Sequence, residues 1–201
     1  MAGAKSPGNH GIPFQFEEVE MRIRKMKMVL IASTMVAGLL GSASASAAVD
    51  TFLKIDGIAG ESADDRHKGE IDVFGWAWSV AATTPGKRGC IKGMTISKAF
   101  DSASPKLITN AATGAGAPKA VLTLRKAGRS QQEFLVITMS NVLISSYSVG
   151  GASGQDGVLE NVVLNFDLMD GAYKIQKPDG SLGPAIPWNI GPSAGKCANN
   201  D

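Results

Sequence analysis

The chain has 201 residues, enough for one domain with a substantial core. Its formal net charge is +2, but five of its 20 basic and three of its 18 acidic residues lie within residues 1–47, so residues 48–201 carry 15 of each. A neutral domain with scattered basic residues argues against nucleic acid as the main partner, because phosphate binding needs a clustered positive surface.

Residues 1–47 have the pattern of an export leader. Residues 21–27 form a basic n-region, residues 28–41 form an uncharged apolar h-region, and small residues up to Ala47 supply an A-x-A cleavage motif. We predict a Sec-type signal peptide cleaved near Ala47. A membrane anchor is the alternative, disfavoured because the apolar run is short and the chain turns polar directly after Ala48.

The segment after the leader begins with alternating strands. Residues 49–55 alternate apolar and polar side chains, which predicts a strand, and residues 60–69 are polar and mixed in charge, which predicts a solvated loop. Residues 70–80 predict a second strand whose large apolar side chains share one face, directed at the core or at a subunit interface. These side chains are Phe74, Trp76, Trp78 and Val80.

One helix is predicted after the next strand. Following a turn at residues 83–89, residues 90–97 predict a strand. Ser104 and Pro105 then predict a helix with serine as the N-cap and proline at the first helical position. Gly114 is expected to end the helix.

The rest of the chain predicts further strands. The cleanest alternation runs over residues 158–169, where Glu160 alone interrupts the apolar face. The other predicted strands cover residues 120–125 and 133–142, paired as an antiparallel hairpin through residues 126–129, and residues 173–176 and 186–190. About eight strands and one short α-helix predict a mainly β fold, either a small β-barrel or two packed antiparallel sheets.

No catalytic, cofactor-binding or metal-binding residue is predicted, and no cofactor. His67 is the one histidine after the leader. It lies with Glu61, Asp64 and Asp65 in a loop whose spacing matches no known ligand pattern, so solvated residues are expected there. Residues 150–154 are rich in glycine but lack the lysine that ends a phosphate-binding loop, so they predict a hairpin tip. We therefore expect a protein that is not an enzyme.

The two cysteines are Cys90 and Cys197. Export into an oxidising compartment makes a disulfide between them possible, and two independent free thiols are the alternative.

Several segments, in order over nearly all of residues 49–190, resemble the Hcp family, the haemolysin-coregulated proteins of type VI secretion systems. The segments that carry the resemblance are FLKI (52–55), GES (60–62), EIDV (70–73), Trp76 with Trp78, Ser104-Pro105, LTLRKAG (122–128), ENVVLNF (160–166) and WNI (188–190).

The resemblance implies that residues 48–201 form a small β-barrel that closes into a six-membered ring. Such rings stack into a tube, so the expected partners are further copies of the chain, a spike protein and small effector proteins carried in the lumen. The expected location is extracellular, with periplasmic transit possible and no stable membrane insertion after cleavage. A type VI tube assembles in the cytoplasm without Sec export, so a Sec-exported Hcp-fold binding module outside any tube is the alternative function.

Overall fold

The computed structural model describes residues 48–82, 85, 89–127, 131–154, 157–191 and, for the backbone, 195–196. The chain divides into two units, Met1–Ser46 and Ala47–Asp201, and every described residue belongs to the second. The predicted leader and its cleavage residue Ala47 lie outside the described residues.

The described residues form ten strands and one helix, which confirms the predicted mainly β fold with a single short helix. In chain order they are β1 (Val49–Ile55), β2 (Ile71–Asp72), β3 (Gly75–Ala81), β4 (Cys90–Ala99), α1 (Ser104–Thr113), β5 (Gly116–Lys126), β6 (Glu133–Gly150), β7 (Leu159–Asn165), β8 (Leu168–Gln176), β9 (Leu182–Ile190) and β10 (Gly195–Lys196).

Strand pairing forms a barrel-like circuit. Antiparallel ladders run in the order β1, β5, β6, β7, β4 and β3, and β2 pairs back onto β1. The predicted strand over residues 70–80 is therefore two short strands with a kink between them. At the kink the Val73 N–H donates to Thr51 O and the Phe74 N–H donates to Ser97 O, both at 2.9 Å, so the chain passes from β1 to β4 and connects the two.

Strand β6 belongs to two ladders in succession. Its first half, residues 135–140, pairs with β8, which in turn pairs with β9, whereas its second half, residues 143–150, pairs with β7. Asn141 lies between the halves with a φ of 54°, a left-handed conformation that asparagine adopts more readily than most residues. The predicted hairpin with β5 is confirmed, but β6 continues past residue 142 to Gly150.

The core lies inside the barrel circuit and under α1. Its fully buried side chains include the following large apolar residues: Leu53, Ile71, Met94, Ile96, Leu107, Leu122, Ile137, Met139, Leu164 and Met169. The prediction of one strand over residues 158–169 is wrong at its end, because β7 stops at Asn165 and β8 begins at Leu168. The break shifts the alternation by one residue, so Met169 is fully buried instead of Leu168.

Helix α1 ends as predicted but begins differently. Its N-cap is Ala103, with no side-chain cap, and Ser104 is the first helical residue, so the predicted serine cap is wrong. The Ser104 Oγ instead accepts the Asp101 N–H at 2.9 Å, and the Asp101 Oδ1 accepts the Ala103 N–H at 2.9 Å. At the other end Gly114 is left-handed, with a φ of 73°.

Strand β10 pairs in parallel with the start of β4, placing Gly195 opposite Cys90 and Lys196 opposite Ile91. Cys90 is half-buried, whereas Cys197 lies outside the described residues.

Among the residues that the structure describes, no helix has the length and apolarity needed to cross a bilayer.

Candidate assembly surfaces

The inner face of the β6–β8–β9 ladder runs outward from the core in cross-strand rows. Residues paired directly across antiparallel strands point to the same face, so each row is one layer of side chains. The first row, Met139 with Met169 and Ile190, begins in the buried core. The second row is Ile137, Gly171 and Trp188, and the third is Leu135, Tyr173 and Ile186.

An aromatic pair covers the second row. A Cβ on Gly171 would lie 1.9 Å from Cε2 of Trp188, so glycine is required for the indole to lie against the strand. The Trp78 ring stacks on Trp188 with 5.6 Å between ring centroids and 14° between planes. Trp76, Trp78 and Trp188 are partly buried against the core. Of the two predicted alternatives, the core and a subunit interface, the tryptophans therefore take the core, but Phe74 at the kink is 68% exposed.

The β8 and β9 residues of the third row, and the next core-facing residue of β8, are left uncovered, whereas Leu135 of β6 is partly buried against the core. Tyr173, Ile175 and Ile186 are 41%, 50% and 49% exposed, although they continue the core-facing side of the sheet. We call these three residues the β8–β9 strip. Lys174, which alternates with them, is less exposed than they are. The strip is therefore an apolar surface that the described part of this chain does not cover.

Strand β9 forms one edge of the described sheet. Among the described strands it pairs with β8 only, and it contains Pro184 and Pro187. Proline has no N–H to donate, and it is found on edge strands for that reason. The prolines oppose addition of another strand to this edge, so a partner would contact the side chains of the strip instead.

A second apolar surface lies at the other end of β6. Four large apolar side chains are exposed there: Phe100, Val149 and Leu159 at 49–54%, and Val158 at 41%. Backbone contacts bring the four together around the end of the barrel, since the Phe100 N–H donates to Val158 O at 2.9 Å and Leu159 pairs with Ala99 and Gly150. Val149 pairs with Glu160, so Val149 and Leu159 lie on opposite faces of the β6–β7 ladder at that end. We call these four residues the barrel-end patch.

Beneath the barrel-end patch lies a buried group of polar side chains. Lys98 and Glu160 are opposite each other in the β4–β7 register, are 1% and 0% exposed, and have 2.8 Å between Nζ and Oε2. The Lys98 Nζ also donates to Asp101 Oδ1 at 2.7 Å and to Ser104 Oγ at 3.1 Å. We call Lys98, Asp101, Ser104, Tyr147 and Glu160 the Lys98 cluster.

Tyr147 completes the Lys98 cluster by donating its hydroxyl proton to Glu160 Oε1. Burial, followed by the neighbouring Glu160 carboxylate, raises the pKa of Tyr147 above its ordinary value. Glu160, which appears in the sequence as an interruption of an apolar face, therefore accepts bonds from the buried Lys98 and from the half-buried Tyr147. The cluster fixes the start of α1 to β4 and β7.

The loop over residues 60–69 is packed against the barrel, so its prediction as a wholly solvated loop is wrong. Arg125 is 2% exposed and donates through Nη1 and Nη2 to Asp64 at 2.9 and 2.5 Å, and through Nη2 to Asp50 at 3.1 Å. The Arg125 guanidinium carbon lies 4.9 Å from the Phe52 ring centroid. We call Arg125, Asp64, Asp50 and Phe52 the Arg125 cluster.

His67 is buried in the same loop. Its ring stacks on Phe52 at 4.2 Å between centroids, and its Nδ1 lies 2.9 Å from Glu70 Oε2.

Asp64 accepts hydrogen bonds from the Arg125 guanidinium, and these bonds hold the pKa of the Asp64 carboxyl well below its usual range. Within the described residues, no group of metal-type side chains is arranged to hold an ion.

Neither apolar surface was predicted from the sequence. The alternation at residues 173–176 predicts a strand but does not say whether the chain covers its apolar side. A signal was present in the two prolines of β9, which mark an edge strand.

An antiparallel β domain whose described residues leave apolar side chains uncovered at two separate places has the features of a subunit that associates with other proteins. Comparison with known proteins gives the family. Residues 52–173 match the family model described as type VI secretion system effector, Hcp. The chain is 39% identical over 155 residues to protein hcp1 of Pseudomonas aeruginosa, covering 71% of this chain and 96% of that protein.

Solved structures agree with the sequence match. Hcp1 from Salmonella typhimurium is 33% identical, with a TM-score of 0.64, over 74% of this chain and 98% of that one. A type VI secretion system effector from Yersinia pestis is 30% identical, with a TM-score of 0.61, over 71% of this chain and 99% of that one. The chain belongs to the Hcp family of type VI secretion proteins.

Proposed function

We propose that this Hcp protein is a ring-forming structural subunit whose copies join head to tail, the β8–β9 strip of one copy against the barrel-end patch of the next. The observation that supports this most is that the described part of the chain leaves two different apolar surfaces uncovered. A closed ring requires a heterologous contact between unlike surfaces, whereas a two-fold dimer uses one surface twice.

The positions of the two surfaces support a head-to-tail contact. Leu135 of β6 pairs with Tyr173 of the strip, and Gly150 of β6 pairs with Leu159 of the patch. The two surfaces thus lie at opposite ends of one strand, up to ~50 Å apart along it at about 3.3 Å per residue. One copy can therefore contact two neighbours at once.

The energetics favour a ring over a free dimer. Covering the exposed half of each large side chain in the two surfaces would contribute about 1 kcal/mol apiece. Association costs roughly 4–15 kcal/mol in lost freedom of motion, so one such contact is weak. Closing the ring adds one more contact without another association step, because its last two surfaces are already held near each other.

Native mass spectrometry of the full chain, with negative-stain electron microscopy, tests the proposal. We expect a six-membered ring for the parent chain. Ile186→Asp and Leu159→Asp should each abolish rings, because a charge would be buried in the contact. Ile108→Asp is the matched control, since Ile108 is 39% exposed on α1 and belongs to neither surface. A parent chain that is monomeric at every concentration would refute the proposal.

A mixing experiment tests the head-to-tail arrangement. The Ile186→Asp copy retains an intact patch and the Leu159→Asp copy retains an intact strip. Because one contact is weak, the two are mixed at high concentration, where they should give a dimer of one copy of each and no ring. If the Leu159→Asp copy associates with itself, strips contact strips and the arrangement is wrong.

By its resemblance to the family, we further propose that rings stack into a tube, carry small effector proteins in the lumen and meet a spike protein at one end. The neutral charge of residues 48–201 supports close stacking, because a large net charge would oppose it.

We also propose that residues 1–47 are a leader whose residues 21–47 are a Sec signal peptide, and that Cys90 and Cys197 form a disulfide after export. The pairing of Gly195 with Cys90 supports the disulfide, because Cys197 follows two residues later in the sequence. Intact mass measured with and without a reducing agent tests the bond, which removes two hydrogens.

The leader pattern favours a second candidate function, a Sec-exported binding module that works outside any tube. The two functions differ in their dependence on the secretion machine. Export that persists when the type VI machine is deleted, with an N-terminus at Ala48, supports the binding module. Export that requires the machine supports the tube subunit.

A further inference from the structure

The first strand of the folded domain begins almost at the predicted cleavage site. The Ala127 N–H donates to Ala48 O at 2.8 Å, and β1 pairs with β5 from Val49 opposite Lys126 onward. Ala48 is the first residue after the predicted scissile bond. The residues that follow that bond are thus part of a ladder from the first position.

A buried cation holds the same segment. Asp50 is opposite Arg125 in the β1–β5 register, and the Arg125 Nη2 donates to its Oδ2 at 3.1 Å. Phe52 is 5% exposed beneath the stacked ring of His67. The start of β1 is therefore fixed by its ladder, by an ion pair and by a loop that lies on it.

Proteases bind their substrates as extended segments with residues on both sides of the scissile bond in the cleft. A segment paired in a ladder cannot enter such a cleft until it separates from its neighbour, so cleavage follows the population of the opened form. An Ala47–Ala48 bond next to a paired strand is poorly placed for cleavage in the folded chain.

We propose that leader removal is restricted to chains in which β1 has not yet paired with β5, so that folding and processing compete for residues 48–52. This proposal rests on the leader being a signal peptide. A chain that folds in the cytoplasm keeps its leader, whereas a chain that is exported unfolded loses the leader and folds afterwards. One sequence thus gives two products, and whether folding or cleavage comes first determines which of them forms.

The experiment compares cleavage of three full-length chains by purified Sec signal peptidase in detergent micelles, followed by intact mass and N-terminal sequencing. The first is the folded parent. The second is Leu122→Asp, which places a charge at a position that is 0% exposed and unfolds the domain without altering the leader. The third carries eight Gly and Ser residues inserted between Ala48 and Val49. Circular dichroism checks the folding state of each chain.

We expect the unfolded Leu122→Asp chain and the folded insertion chain to be cleaved after Ala47. The folded parent should be cleaved at least about 100-fold more slowly, because the start of β1 must first open. The insertion chain is the decisive control, because it is folded but carries the scissile bond away from the ladder.

Two failures are distinguishable. If the folded parent is cleaved as fast as the insertion chain, the competition between folding and processing is overturned while the signal peptide stands. If neither the unfolded chain nor the insertion chain is cleaved, the leader is not a signal peptide and both proposals fall.

Discussion

The two clusters of buried charge in this protein do the same structural task in different surroundings. The Lys98 cluster fixes the start of α1, and the Arg125 cluster fixes the loop over residues 60–69. In the first, Lys98 and Glu160 are 1% and 0% exposed and sit on neighbouring strands in register. In the second, Asp64 and Asp50 are 16% and 38% exposed, and Asp64 comes from a loop.

The difference shows how enclosure sets the cost of losing a partner. Water cannot replace a lost partner in the Lys98 cluster, so an unpaired ion there remains unpaired. Water can reach both carboxylates of the Arg125 cluster, so their loss or protonation is partly compensated. The enclosed cluster is therefore expected to matter more for stability than the open one.

The largest effect is expected from Glu160→Ala. Removing this carboxylate leaves Lys98 buried with Asp101 as its remaining anionic partner, which should lower the free energy of unfolding by about 3–5 kcal/mol. Urea denaturation measures the loss. The double variant Lys98→Met with Glu160→Leu should recover part of it, because the two most deeply buried ions are then absent, although Asp101 loses Lys98 and Tyr147 loses its acceptor. A Glu160→Ala loss below about 1 kcal/mol would contradict the enclosure of the cluster.

A pH dependence is expected from Asp64. Its folded-state pKa is depressed by the Arg125 hydrogen bond, so it contributes stability above its unfolded pKa of about 3.8 and loses that contribution as the pH falls toward the folded pKa. Unfolding free energies of the parent and of Asp64→Asn, measured from pH 7 to pH 2, should therefore converge as the pH falls. A gap that stays constant over this range would show that Asp64 acts through packing and not through its charge.

The smallest effect is expected from Tyr147→Phe. The variant removes one hydroxyl that donates to Glu160 and leaves the carboxylate with its Lys98 bond, so a loss of about 1 kcal/mol is expected. Thermal unfolding of the parent and the variant measures it. A loss as large as that of Glu160→Ala would mean that Tyr147, and not Lys98, is the main partner of the carboxylate.

The strands were predictable because alternation reflects which side of a strand is buried. The first strand, the hairpin of β5 with β6 and the helix end at Gly114 follow from periodicity and from glycine at a left-handed position. The break between Asn165 and Leu168 was not predictable, because apolar residues on both sides of it continue the pattern in sequence while the chain changes ladders.

The buried charges were not predictable for a related reason. Asp64 and Arg125 are 61 residues apart, and nothing near Asp64 in the sequence indicates a cation. A run of mixed charge is usually solvated, and this one is covered because a distant strand supplies its partner. The apolar strip on β8 and β9 was likewise hidden, since exposure depends on what the rest of the fold leaves uncovered.

Strand β6 runs without interruption from the β8–β9 strip to the barrel-end patch, turning at Asn141. In a ring closed through those two surfaces, every copy would connect its neighbours through one continuous, hydrogen-bonded backbone segment. Tension around the circumference would then act along β6 and be resisted by the ladders on both of its sides, while the surface loops carry little of the load. Strand β6 of each subunit would therefore be one segment of a continuous load-bearing path around the ring.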